Sequence, residues 1–225
     1  MLGTLASGIT HDLKNILHPI LALTELAQDE LAPGSQAHQL LGDVLAAAER
    51  GKDLTQRILA FSRPRTALRH LVPVETVLDE VSRLLRPTLP LGVRVRVLAE
   101  LPLAQVEADS IELHQVLLNL GTNAAHAMRT TGGELLFRLR WTSPDQIAIQ
   151  VQDEGIGMDA ETLARACEPL FTTKPEHEGT GLGLAMSLRI VEGLGGTLVL
   201  SSSPGKGSVV EIRLPAVPQE QLQRA

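Results

Sequence analysis

At 225 residues the chain is long enough for two modules, because domains commonly run about 100–200 residues. Hydrophobic residues at 44% and charged residues at 20% allow buried cores and exclude a wholly disordered chain. A formal net charge of -6 argues against nucleic acid as a partner, and the one cysteine, Cys167, excludes an intramolecular disulfide and points to a reducing, cytoplasmic setting.

The elements follow from periodicity. Leu2, Leu5, Ile9, Leu13, Ile16, Ile20, Leu23 and Leu26 recur at three- and four-residue steps, which predicts an amphipathic helix over residues 2–31. Ala32-Pro33-Gly34-Ser35 breaks it. Leu40, Leu41, Val44, Leu45, Ala48, Leu54, Ile58 and Phe61 then sketch a second helix ending before Pro64. A hairpin of two such helices has more apolar surface than it can bury against itself, so a homodimer with a four-helix bundle is expected. Residues 1–61 form this first domain, and residues 62–72, with Arg63, Pro64 and Arg65, read as a linker.

The second domain is expected over residues 73–215, starting near Leu71, with a tail at 216–225. Its predicted elements are helices at 74–87, 109–129 and 182–194, and strands at 93–99, 134–142, 146–153, 197–203 and 208–214. The order suggests an α+β sandwich, with helices on one face of a mixed sheet. No apolar run approaches the about 20 residues that span a bilayer, and no leader pattern is present. No membrane segment is expected within these residues, which leaves room for a sensor or membrane region upstream of them.

Three constellations carry chemistry. Gly155, Gly157, Gly179, Gly181 and Gly183 bracket a loop-rich interval, and the cluster Gly179-Thr180-Gly181-Leu182-Gly183-Leu184 sits where a helix begins. A helix start offers unpaired N–H groups and a positive dipole end, which suit a polyphosphate. Taken alone, Asp153-Glu154-Gly155-Ile156-Gly157 reads equally well as a strand and turn. Phe171-Thr172-Thr173-Lys174 places hydroxyls and a cation between the clusters. Asn119 and Asn123, at i and i+4, share one helix face; their carbonyl oxygens suit Mg²⁺, although each could instead satisfy neighbouring backbone. In the first helix His11, Lys14 and Asn15 share a face beside Asp12, whose carboxylate could hold the imidazole Nδ1–H and leave Nε2 as nucleophile. His18 carries no such company.

Together these segments resemble a two-component sensor histidine kinase over nearly the whole chain. His11-Asp12-Leu13-Lys14-Asn15 resembles the H box and Glu112 to Met128 the N box. Asp153 to Gly157 resembles the G1 box, Glu168 to Lys174 the F box and Gly179 to Leu184 the G2 box. The Asn15 surroundings and the Asn123-to-Met128 segment look most like the nitrogen-regulation and hybrid branches. The resemblance implies a helical phosphotransfer hairpin followed by a GHKL-type ATPase sandwich. It implies ATP and Mg²⁺ as cofactors, autophosphorylation of His11, and transfer to an aspartate of a response regulator receiver domain. By that likeness Asp153 meets the adenine amine, Asn123 the metal, Asn119 a water, and Lys174 the terminal phosphate from a mobile lid over 157–181. Backbone around Gly181 and Gly183 meets the phosphates, Asp12 assists proton removal, and Asn15 is tied to reverse phosphatase activity. One departure is Ile16, where many members have proline; here proline comes only at Pro19. A non-kinase ATPase would have no need of His11-Asp12, and a binding-only degenerate kinase would have lost a box, which this chain has not.

Overall fold

The structure, a computed structural model, describes residues 2–62, 69–100, 104–175 and 179–217, and within the helices the side chains of 2–15, 49–50 and 52–62 lie outside that description. The chain divides into two compact units, Met1–Thr66 and Ala67–Ala225.

The first unit is a pair of helices, α1 (Leu2–Asp29) and α2 (Gln36–Ser62). They run antiparallel: Gln28 Nε2 donates to the His38 carbonyl at 3.0 Å near the turn, while Leu17 lies against Gly51 farther along. Ser35 caps α2 by accepting the His38 N–H at 3.2 Å, satisfying a donor the first turn leaves unpaired. α1 continues through Pro19. Leu21 and Ala48 are buried, whereas Ile16, Ile20, Leu23, Leu26, Leu40 and Val44 remain exposed.

The second unit has a five-stranded mixed sheet in the order β2-β4-β5-β7-β6. Its strands are β2 (Val93–Ala99), β4 (Gly133–Ser143), β5 (Gln146–Asp153), β6 (Thr197–Ser202) and β7 (Ser208–Pro215). β2 and β4 are parallel and the other neighbours antiparallel. Helices α3 (Val74–Leu85), α4 (Ser110–Ala127) and α6 (Gly183–Gly193) pack on it, with a short α5 (Ala160–Arg165) between β5 and α6. Val77, Leu78, Val81, Leu113, Leu117, Leu120 and Ile190 meet Leu135, Phe137, Leu139, Ile147, Ile149 and Ile212 in one core. The other sheet face is polar, where Glu211 accepts from Arg140 at 3.0 Å and Gln150 at 3.1 Å. Asp109 caps α4 by accepting the Ile111 N–H at 2.9 Å.

Two expected boundaries move. His70–Pro73, partly assigned to the linker, is strand β1, paired antiparallel with β3 (Gln105–Ala108) in a separate two-stranded sheet. Ala216 and Val217, expected in the tail, donate their N–H groups to Asp145 and Gln105 carbonyls at 2.8 and 2.9 Å. Both edges gain backbone partners, which is why the chain stays ordered through them.

Candidate functional site

The site is assembled where β5, α4 and α6 end or begin. β5 delivers Asp153 to a position only 6% exposed, where its Oδ1 accepts the N–H of Gly155 at 2.9 Å and of Ser208 at 3.2 Å. Burial pushes the carboxyl above its ordinary range, and the donors from Gly155 and Ser208 pull the other way. Gly207 makes this closeness possible: its φ is +74°, and a Cβ there would overlap the Asp153 carbonyl oxygen.

The loop after Asp153 is strapped on both sides. Ile156 N–H donates to the Ala127 carbonyl at 3.1 Å, and its own carbonyl accepts from Gly205 N–H at 2.7 Å. Met158 N–H donates to Ser202 Oγ at 2.8 Å, whose hydroxyl donates to Gly207 O at 2.9 Å. Gly155 is therefore buried and Gly157 half-buried, both beside Asp153.

Asn119 and Asn123 stand one turn apart on α4, both half-buried. Asn119 Nδ2 donates to Ser187 Oγ at 3.0 Å, and Ser187 donates to the Gly183 carbonyl at 3.0 Å. The first residue of α6, Gly183, lies so close to the Asn119 amide that a side chain would overlap it. Asn123 Oδ1 accepts from Lys174 Nζ at 3.0 Å. The segment before Lys174 is held in steps: Lys174 N–H donates to Thr172 Oγ1 at 3.1 Å, and Arg165 stacks over Phe171 at 4.3 Å while donating to Glu168 at 3.1 Å. Leu170 N–H donates to Gly181 O at 2.9 Å, tying this segment to the start of α6.

The structure thus brings together Asn119, Asn123, Lys174 and Gly183 as one group, with Thr172 and Gly179 bonded to it or packed against it and Gly181 held by Leu170. Thr172 and Thr173 are exposed, Thr180, Gly181 and Leu184 half-buried. Leu182 turns into the core at 4% exposure, and its carbonyl accepts the Met186 N–H at 2.9 Å. Residues 176–178 of the expected lid lie outside the described residues. His11, Asp12, Lys14 and Asn15 lie on the α1 backbone, and their side chains are likewise outside the description. Sequence reasoning missed Ser187, Ser202, Gly207 and Ser208. Each reaches a site residue or its loop through a hydrogen bond or close approach across a chain distance that no local pattern encodes.

Among the described residues no cluster of three or more His, Cys, Asp or Glu could hold a metal, and no helix is long and apolar enough to cross a membrane. The Asn119 and Asn123 amides offer the carbonyl-type oxygens that Mg²⁺ accepts when most of its shell comes from water and phosphate.

Residues 1–67 match the His Kinase A (phospho-acceptor) domain family, and residues 108–218 match the Histidine kinase-, DNA gyrase B-, and HSP90-like ATPase family. The sensor kinase CckA of Brucella abortus is 31% identical over 97% of this chain and 24% of its own length. The sensor histidine kinase ZraS of Klebsiella oxytoca is 33% identical over 97% of this chain and 47% of its own. The chain thus spans less than half the length of these relatives. The crystal structure of full-length ShkA in complex with AMPPNP is 20% identical, a likeness of fold, with a TM-score of 0.79 over 96% of this chain and 46% of that one. With the phospho-acceptor domain followed by the ATPase domain in one chain, the protein belongs to the two-component sensor histidine kinases.

Proposed function

We propose that this chain binds Mg-ATP in the second unit, transfers the terminal phosphoryl group to His11, and passes it to an aspartate of a response regulator receiver domain. The observation that carries the reading is the buried Asp153 carboxylate at the end of β5, in the same ATPase domain as the Lys174–Asn123 pair. A carboxylate whose Oδ1 is already anchored by backbone N–H groups keeps acceptor capacity for an amine such as that of adenine. Asn123, with Asn119 beside it, would hold the metal, which neutralises charge on the phosphates when bound. Lys174 supplies a cation to the terminal phosphate, and N–H groups near Gly181 and Gly183 supply donors.

His11 Nε2 attacks the terminal phosphorus as the bond to the bridging oxygen breaks and ADP leaves. Asp12 holds Nδ1–H, fixing the tautomer and stabilising the phosphorylated ring. Asn15 orients water for the reverse hydrolysis of the acyl phosphate on the receiver. Homodimerisation covers the exposed stripe from Ile16 to Val44. We further infer that the chain works in the cytoplasm, under the control of a sensor region upstream.

Incubation with γ-labelled ATP and Mg²⁺ tests this reading. An acid-labile, base-stable label on the protein is expected. Free labelled phosphate without protein label would contradict it and favour a plain ATPase.

A further inference from the structure

Ser187 was not among the expected site residues, yet it is 1% exposed and bonded at both ends. Its hydroxyl donates to the Gly183 carbonyl at 3.0 Å, since a carbonyl can only accept, and in this arrangement that bond uses the one hydroxyl proton. What remains is an oxygen lone pair. Asn119 Nδ2 donates into it at 3.0 Å.

An asparagine amide has a donor end and an acceptor end of nearly the same shape. If it were flipped, Asn119 Oδ1 would compete with the Gly183 carbonyl for the single Ser187 hydroxyl proton, so one of the two bonds at Ser187 would be lost. Ser187 thereby fixes the amide, and Oδ1 lies instead against Gly183 at the start of α6.

We propose that Ser187 is a positioning residue that holds the Asn119 oxygen toward the nucleotide site and so makes the site prefer a metal-bound nucleotide over a bare one. This rests on the nucleotide reading given above. An amide oxygen repels bare phosphate oxygens, which are also acceptors, but matches Mg²⁺ or the waters around it. A flipped amide would offer N–H groups and tolerate bare phosphate.

The test is calorimetric titration of the full chain with ADP in Mg²⁺ and with ADP in a chelator, which needs no turnover. In Ser187→Ala the ratio of the two affinities should fall by roughly fivefold, the size of one net neutral hydrogen bond. Alanine is a good helix former, so the fold should persist. Ser187→Cys, which keeps the shape but accepts and donates only weakly, should give a smaller fall and serves if the alanine variant does not fold. An unchanged ratio, or equal loss for both forms of ADP, would overturn the role. A wild-type chain that bound both forms equally would overturn it while leaving the nucleotide reading intact. One that bound neither would overturn both.

Discussion

Asp153 carries opposing demands. Burial raises its proton affinity above the ordinary value of 3.8, while the Gly155 and Ser208 N–H groups favour the ionised form. Since the folded chain holds this proton more tightly than the unfolded one, the ionised carboxylate weakens the fold. The penalty is absent below 3.8 and grows as pH rises through the raised folded value. Asp153→Asn should therefore melt higher than wild type at pH 7, with the advantage shrinking as pH falls toward about 4. It should also bind ATP at least about tenfold more weakly, for want of a charged acceptor. Scanning calorimetry at both pH values and an ATP titration check this. Equal melting temperatures at pH 7, or undiminished ATP affinity, would contradict the assignment of the buried carboxylate.

At the scale of elements, the turn between β6 and β7 is part of the site because Gly207 lets β7 start against the end of β5. Gly207→Ala forces a positive φ on a residue with a Cβ and drives that Cβ into the Asp153 carbonyl. A loss of roughly 1–3 kcal/mol or more is expected, together with weaker ATP binding. Urea unfolding beside a nucleotide titration measures both, and an unchanged midpoint would refute the packing argument.

Elements that bury many apolar residues were legible in the sequence. β5 begins after the Pro144-Asp145 turn and runs Ile147, Ala148, Ile149, Val151, and its range matches the expected 146–153. β1 and β3 were not legible. Each is four residues long, and His70–Pro73 closes with a proline, so the strand exists through its pairing with distant Gln105–Ala108 rather than through any local period. α5, at six residues, is too short to show a helical repeat. In the site, the glycine clusters and the i, i+4 asparagines could be read from spacing, because glycine in a turn and asparagine in mid-helix are chemically unusual. The serines that hold them could not. Ser187 sits among Ala185, Met186, Ile190 and Val191 as one more buried residue of α6 until its partners are seen.

At the scale of the molecule, the hairpin is the part that leaves a run of apolar side chains uncovered. Leu23, Leu26 and Leu40 are each more than half exposed, while the second unit has its own closed core. A pair of hairpins burying this stripe gains on the order of 25 cal/mol for each Å² of apolar surface covered. The full chain should therefore be a dimer at micromolar concentration, and a shortened chain of residues 67–225 a monomer that still binds ATP. Light scattering coupled to gel filtration decides this; a monomeric full chain would count against the four-helix bundle.

The two units serve one reaction if the phosphoryl group bound in the second is delivered to the helix of the first. Imidazole titrates near an unperturbed value of about 6.5, so a neutral nucleophile is available at physiological pH and only its tautomer and placement need help. In-line placement and charge neutralisation then supply most of the rate. The most direct measurement is the site of the label after incubation with γ-labelled ATP and Mg²⁺, in wild type, His11→Gln and His18→Gln. The label should map to His11, vanish in His11→Gln while ATP still binds, and persist in His18→Gln. Stable label on His18, or on any residue other than His11, would contradict the mechanism.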